Sequence, residues 1–301
     1  MPGIILHIGL RKTGTTSIQK FLHANRELLL EKGILYPSAG LPVKESRYAH
    51  HDLAAELTGI RPPTVSGSWE KLAAEINEFN GKLIFISSEI FSVAAPERIE
   101  ELRERLAGHK VIILLYLRDP AKFIVSLYKA QIKGHNEFRS FRNFIRRKPE
   151  WIDFDPLVNN WQKVFGQENL VLKNYDELAG GDLLLSNLLD SIGLSESSAQ
   201  FRFLEKANVT PDDKVVAAIR FLNFLKKKIP MPASTKERIK IRVADLNKGN
   251  ERGQMLLARY QPFLPKMAVS RKDMIWLEKQ LHVLGSEYKT AFRNDFRFLQ
   301  D

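Results

Sequence analysis

A chain of 301 residues with 44% apolar side chains is long enough to bury one large core, with or without a helical appendage. It has no cysteine, which excludes disulfides, thiolate metal sites and cysteine nucleophiles, and no apolar run reaches the roughly 18–20 residues of a membrane span. The net charge of +11 favours anionic partners such as nucleic acid, a phosphorylated nucleotide, an anionic acceptor or a membrane surface. The first residues lack a basic segment followed by a cleavable apolar one, so Met1–Gly9 reads as a strand and a cytoplasmic location is expected.

Ile4, Leu6 and Ile8 lie in a short apolar run of the kind a buried parallel strand shows, and Gly9 breaks it into a polar loop ending Gly14-Thr15-Thr16-Ser17. Ile18, Phe21, Leu22, Leu28 and Leu29 then mark one face of a helix that stops at Gly33. Strand, glycine loop and helix together make an anion cradle, because loop and first-turn N–H groups lack intrahelical partners and the helix dipole adds positive charge. Lys12 adds a full charge, and Thr15, Thr16 and Ser17 add hydroxyl donors. The glycines keep the spacing of the nucleotide-triphosphate loop G-x-x-x-x-G-K-[ST], but Thr15 holds the lysine's place and the lysine stands three residues earlier.

Gly33–Gly40 reads as a short strand and turn, and Leu41–Gly67 as a long loop containing His50 and His51. Trp69–Asn80 is helical by pattern, and Leu83–Ile86 is a second buried strand running into Ser87-Ser88-Glu89. A helix opens at Pro96. Val111–Leu117 is a third strand ending at Arg118-Asp119-Pro120, followed by a helix from about Ala121 to Lys133 that carries Ser126. Leu157–Phe165 is a helix, Leu170–Leu172 a fourth strand ending near Tyr175, and Asp182 begins a helix to Ile192. Short linkers between alternating strands and helices argue for an α/β, P-loop-like three-layer fold with a central parallel sheet, whose ligands gather at the carboxyl ends of the strands.

From about Ala207 the strands disappear. A helix is expected from Thr210-Pro211-Asp212 to Lys227, and Ser234–Glu237 and Ser270–Asp273 have capping-box spacing. The expected organisation is an α/β nucleotide-binding core over 1–200 and a helical C-terminal cover over 201–301, within one structural domain.

Arg118 and Ser126, eight residues apart, suit an isolated phosphate, and Tyr175 could stack on a base. Taken in order, RKTGTTS, RDPAKFIVSLY and VLKNYDEL resemble the phosphosulfate loop, the 3′-phosphate motif and the adenine-contacting segment of sulfotransferases that use 3′-phosphoadenylyl sulfate (PAPS). The resemblance covers about Ile4–Leu194 and is nearest to the bacterial branch related to carbohydrate sulfotransferases. The Arg-Lys-Gly triplet of cytosolic members has no clear match.

The resemblance implies a PAPS-dependent sulfotransferase of the EC 2.8.2 type, with PAPS as donor, 3′,5′-bisphosphoadenosine (PAP) as product and no metal. Arg11, Lys12, Thr13, Gly14, Thr15, Thr16 and Ser17 would hold the phosphosulfate, and Arg118, Ser126 and Tyr175 the rest of the nucleotide. Lys12 would neutralise the oxygen released from sulfur, and the base would be Glu89 or else His51 or His50. The implied acceptor is a saccharide or glycolipid, and the charge fits anionic groups on it or peripheral membrane contact. Two other readings stay open: a basic nucleic-acid-binding protein, although no nucleic-acid motif is recognisable, and a P-loop-type nucleotide kinase.

Overall fold

The structure is a computed structural model that describes residues 1–42, 48–179, 182–203, 212–260, 268–284 and 292. Five strands, β1 (Gly3–His7), β2 (Ile34–Leu35), β3 (Leu83–Ser87), β4 (Val111–Leu117) and β5 (Leu170–Asn174), form one sheet in the order β2-β3-β1-β4-β5. Every pairing is parallel, with Ile5 opposite both Phe85 and Ile112, and Leu115 opposite Leu172. Parallel strands are covered on both faces, which is why VIILLYL of β4 is apolar throughout and wholly buried. Alternate residues serve the two layers: Ile5, Phe85, Leu114 and Val171 join one cluster with Ile18, Phe21, Leu184 and Leu188.

Fourteen α-helices are assigned among the described residues. The first five are α1 (Thr15–Ala24), α2 (Arg26–Glu31), α3 (His51–Thr58), α4 (Ser68–Glu78) and α5 (Pro96–Arg105). Next come α6 (Pro120–His135), α7 (Phe141–Arg146), α8 (Asp155–Phe165), α9 (Tyr175–Leu178) and α10 (Leu183–Ser191). The last four are α11 (Asp213–Lys228), α12 (Ala233–Lys248), α13 (Glu251–Tyr260) and α14 (Arg271–Leu284). None of the described helices is long and apolar enough to cross a membrane.

The single helix expected between the loop and Gly33 is two helices. Asn25 interrupts it: its Nδ2 donates to the Phe21 carbonyl at 2.8 Å and to the Arg202 carbonyl at 3.1 Å, while its Oδ1 accepts from the Arg202 N–H at 2.8 Å. The long loop expected over Leu41–Gly67 contains α3, although Val43–Arg47 lie outside the described residues. Buried Asp52 on α3 accepts from Thr64 and Val65 and so fastens the chain that follows the helix. Thr210 and Pro211 also lie outside the described residues, and Asp212 caps α11 by accepting from the Lys214 N–H at 2.8 Å.

The two capping-box expectations part ways. Ser270 and Asp273 exchange bonds across the start of α14, whereas Ser234 falls inside α12, which begins after Pro232. The strands do not end wholly at Ala207 either, since Phe292 makes one parallel bridge with Leu172.

Two compact units result: Met1–Arg118, Phe154–Ala207 and Ser286–Asp301 form the first, and Asp119–Asp153 with Asn208–Gly285 the second. The whole sheet belongs to the first. Asp119–Asp153 lies within residues 1–200, yet it groups with the C-terminal helices. In the second unit, Asn223 of α11 donates to the Ile132 carbonyl of α6 at 2.8 Å, Lys129 meets Asp213 at 2.6 Å, and Arg142 of α7 meets Asp273 of α14 at 2.8 Å.

Candidate active site

The chain leaves β1 toward β2 on one side and leaves β4 toward β5 on the other. The carboxyl ends of β1 and β4 therefore flank a crevice of the kind that binds ligands in doubly wound sheets. Two segments carrying sequence-selected residues border it, the loop after His7 and Arg118 after Leu117.

The loop is a concavity of backbone. Lys12 stands at φ 69° and Gly14 at φ 76°, two left-handed residues flanking Thr13, an arrangement that turns successive N–H groups toward one point. Gly14 is the residue before α1, with no side-chain cap and no acidic residue in the first turn, so the helix end is open to an anion. Thr13 is fully buried and its hydroxyl donates to the Leu10 carbonyl at 2.6 Å, so this side chain closes the loop and leaves the backbone to serve a ligand. Thr15 is buried, Ser17 half-buried, and Arg11, Lys12 and Thr16 are exposed.

Arg118 is tied to this loop. Its Nη1 donates to the Lys12 carbonyl at 3.3 Å, its Nη2 to Asp176 Oδ1 at 3.2 Å, and its guanidinium lies 5.3 Å from the centre of the Tyr175 ring. Its Nε is buried without a partner among the described residues. Tyr175 begins α9 and packs so close to Gly14 that a Cβ there would lie 3.0 Å from its ring. Lys12, Gly14, Arg118 and Tyr175 are thus brought together. Ser126 is half-buried on α6, in the second unit.

The end of β3 adjoins β1 and carries a polar cluster. Glu89 Oε2 accepts from Gln19 Nε2 at 3.0 Å, and its Oε1 lies 3.8 Å from His51 Nε2. His51 Nδ1 is 2.8 Å from the Ser88 hydroxyl. Glu89 and His51 side chains are each about one-fifth exposed, at 21% and 19%, so this carboxylate–imidazole pair is reachable by a substrate.

His50, one residue away, is fully buried. Its Nδ1 accepts from the Ser87 N–H at 3.0 Å, and its Nε2 therefore donates to the Pro37 carbonyl at 3.0 Å. With both nitrogens engaged and no exposure, His50 has no route to a substrate proton. Burial lowers its pKa to about 4, and burial likewise lowers that of His7 to about 4 against the opposing pull of Glu89.

A pH dependence follows from these two rings. Both are neutral when folded, while an unfolded histidine binds a proton below about 6.5, so stability is lost as pH falls from 6.5 toward 4. Each ring contributes roughly 3 kcal/mol across that interval, at about 1.4 kcal/mol per pH unit. Urea midpoints are expected to fall steadily between pH 6.5 and 5, above the main carboxylate range. A midpoint constant over that interval would mean that the rings take up protons in the folded state.

Gln19 and His7 were not singled out by any sequence motif. Gln19 follows the loop by one turn on a face that reads as core, and His7 sits inside an apolar strand. A cavity of about 760 Å³ lies elsewhere, where β4 begins, lined by Glu100, Arg103, His109, Lys110 and Lys163 among others. Among the described residues, no cluster of three or more His, Asp or Glu could hold a metal ion.

No protein-family model and no curated protein sequence matches the chain. Among solved structures, the chain is similar to a sulfotransferase from Alicyclobacillus acidocaldarius at 16% identity and a TM-score of 0.38, over 86% of this chain and 96% of that one.

Proposed function

We propose that the protein is a PAPS-dependent sulfotransferase that transfers a sulfuryl group to a hydroxyl or amine of a saccharide or glycolipid, acting in the cytoplasm. The observation that carries this reading is the meeting of an open, left-handed glycine loop with Arg118 on one side and the partly exposed Glu89–His51 pair on the other. The loop backbone from Arg11 to Ser17 takes the phosphosulfate, and Thr16 and Ser17 add hydroxyls. Arg118 takes the 3′-phosphate, exchanging Asp176 for it. Tyr175 takes the adenine.

Sulfuryl transfer resembles phosphoryl transfer in passing through a loose in-line transition state, so positioning and charge do most of the work. The acceptor oxygen bonds to sulfur as the bridging S–O bond breaks, and the electron pair of that bond stays on the 5′-phosphate of PAP. Lys12 neutralises the charge appearing there. The acceptor proton goes to Glu89, with His51 as its charged or hydrogen-bonding neighbour.

The charge of the chain supports an anionic acceptor and is unevenly placed. Residues 119–153 and 208–285 hold 24 of the 46 Lys and Arg but only 11 of the 35 Asp and Glu, a net +13 against −2 for the remainder. The test is transfer of ³⁵S from labelled PAPS to a panel of neutral and sulfated or uronate-bearing saccharides, with a chelator present. Label is expected on a saccharide, more on the anionic ones and less as salt rises. Turnover of magnesium–ATP in place of PAPS would replace this reading with the kinase one.

A further inference from the structure

Glu89 is gripped by a side chain that belongs to the helix of the glycine loop. Gln19 is nearly buried, at 5% exposure, and its Nε2 carries two hydrogens with two acceptors waiting: Glu89 Oε2 at 3.0 Å and Ser87 Oγ at 3.2 Å. Ser87 accepts there and so can donate its own hydrogen to His7 Nδ1, 2.8 Å away. That order leaves the His7 proton on Nε2, which is buried with no partner among the described residues. The chain His7–Ser87–Gln19–Glu89 thus runs from the end of β1, directly before the loop, to the end of β3. Thr15, at the start of α1, is one turn from Gln19 on the same helix.

We propose that Gln19 is the positioning residue of Glu89, fixing one carboxylate oxygen so that the other faces the acceptor beside His51, and tying that alignment to the helix that forms the donor cradle. The role rests on Glu89 being the base. An amide N–H donated to one carboxylate oxygen fixes the direction of the group, so removal of the donor lets the carboxylate turn away from the acceptor. Among the described residues, the other titratable groups that interact with Glu89 include His51 of α3 at 3.8 Å and, through the interior, His7 of β1 and Tyr36 after β2.

The test uses Gln19→Met, which keeps the length and removes both donors, with Gln19→Asn, too short to reach Glu89, as a second variant if the first does not fold. The Glu89 carboxyl is followed by ¹³C NMR, its signal identified by its loss in Glu89→Gln. Sulfate release from PAPS with water as acceptor gives the pH–rate profile, and calorimetry gives PAP affinity. The Glu89 carboxyl resonance at a fixed pH is expected to move as its oxygen loses the amide donor. A tenfold or greater fall in kcat and PAP affinity within twofold of the parent should accompany it.

An unmoved resonance and an undiminished kcat, with the acid limb of the pH–rate profile still abolished by Glu89→Gln, would overturn the role of Gln19 while leaving the base in place. A moved resonance with an undiminished kcat would overturn the base, and the positioning role with it. PAP that fails to bind the parent protein would refute the donor reading, which the carboxyl resonance does not depend on.

Discussion

Lys12→Ala is expected to lower kcat by about 10³-fold, in line with the removal of one charge aimed at a developing oxyanion, and to leave the melting temperature nearly unchanged. The backbone explains why the two effects separate. Lys12 is exposed and stands at φ 69°, a left-handed conformation that costs an L-residue roughly 1–2 kcal/mol whatever its side chain beyond Cβ. Alanine inherits that strain unchanged. Glycine does not, so Lys12→Gly is expected to be as inactive as Lys12→Ala but to melt several degrees higher. Stability gained as activity disappears is the mark of strain held for a site. The measurement is kcat for labelled sulfuryl transfer beside a thermal melt of each variant. Full turnover in Lys12→Ala would remove the lysine from the chemistry.

Gly9→Ala is the larger structural effect. Gly9 has φ +32°, and a Cβ there would lie 2.6 Å from Thr15 Cγ2, 3.1 Å from His7 Nε2 and 3.3 Å from His7 Cε1. Neither neighbour can give way easily: Thr15 is buried with a β-branched side chain, and His7 is fully buried with Nδ1 against Ser87. Overpacking of about 1–3 kcal/mol and backbone strain of about 1 kcal/mol together imply a loss near 3 kcal/mol by urea unfolding. Thr15→Ser removes the clashing methyl, so the double variant is expected to recover about a third to a half of that loss. A Gly9→Ala protein as stable as its parent would show that the loop is looser than these distances describe.

The parallel sheet was legible because buried strands advertise themselves: LIFIS and VIILLYL leave little alternative, and the glycine loop announces the crevice beside them. What stayed hidden depends on contacts between distant residues. Leu28 and Leu29 continue the apolar face of α1, and the bonds of Asn25 to Phe21 and Arg202 mark the break between the two helices. His50 and His51 are equivalent in sequence, yet the start of α3 sends one into the core against Ser87 and Pro37 and leaves the other at Glu89. Thr13 was grouped with the phosphosulfate loop, and its hydroxyl closes that loop on the Leu10 carbonyl. Arg118 was selected as a phosphate fork without any sign that Asp176 shares it, and Gln19, spaced like a core residue, is the amide that reaches Glu89 from the cradle helix.

The most direct test of a cradle built for a nucleotide phosphorylated at both its 3′ and 5′ ends is calorimetry of the parent protein and of Arg118→Ala with PAP, ATP and AMP, in the absence of magnesium. Micromolar or tighter binding of PAP is expected, at least a hundredfold tighter than either competitor, with Arg118→Ala costing ten- to a hundredfold for PAP and little for AMP. Equal affinities for PAP and AMP, or a preference for ATP, would contradict it.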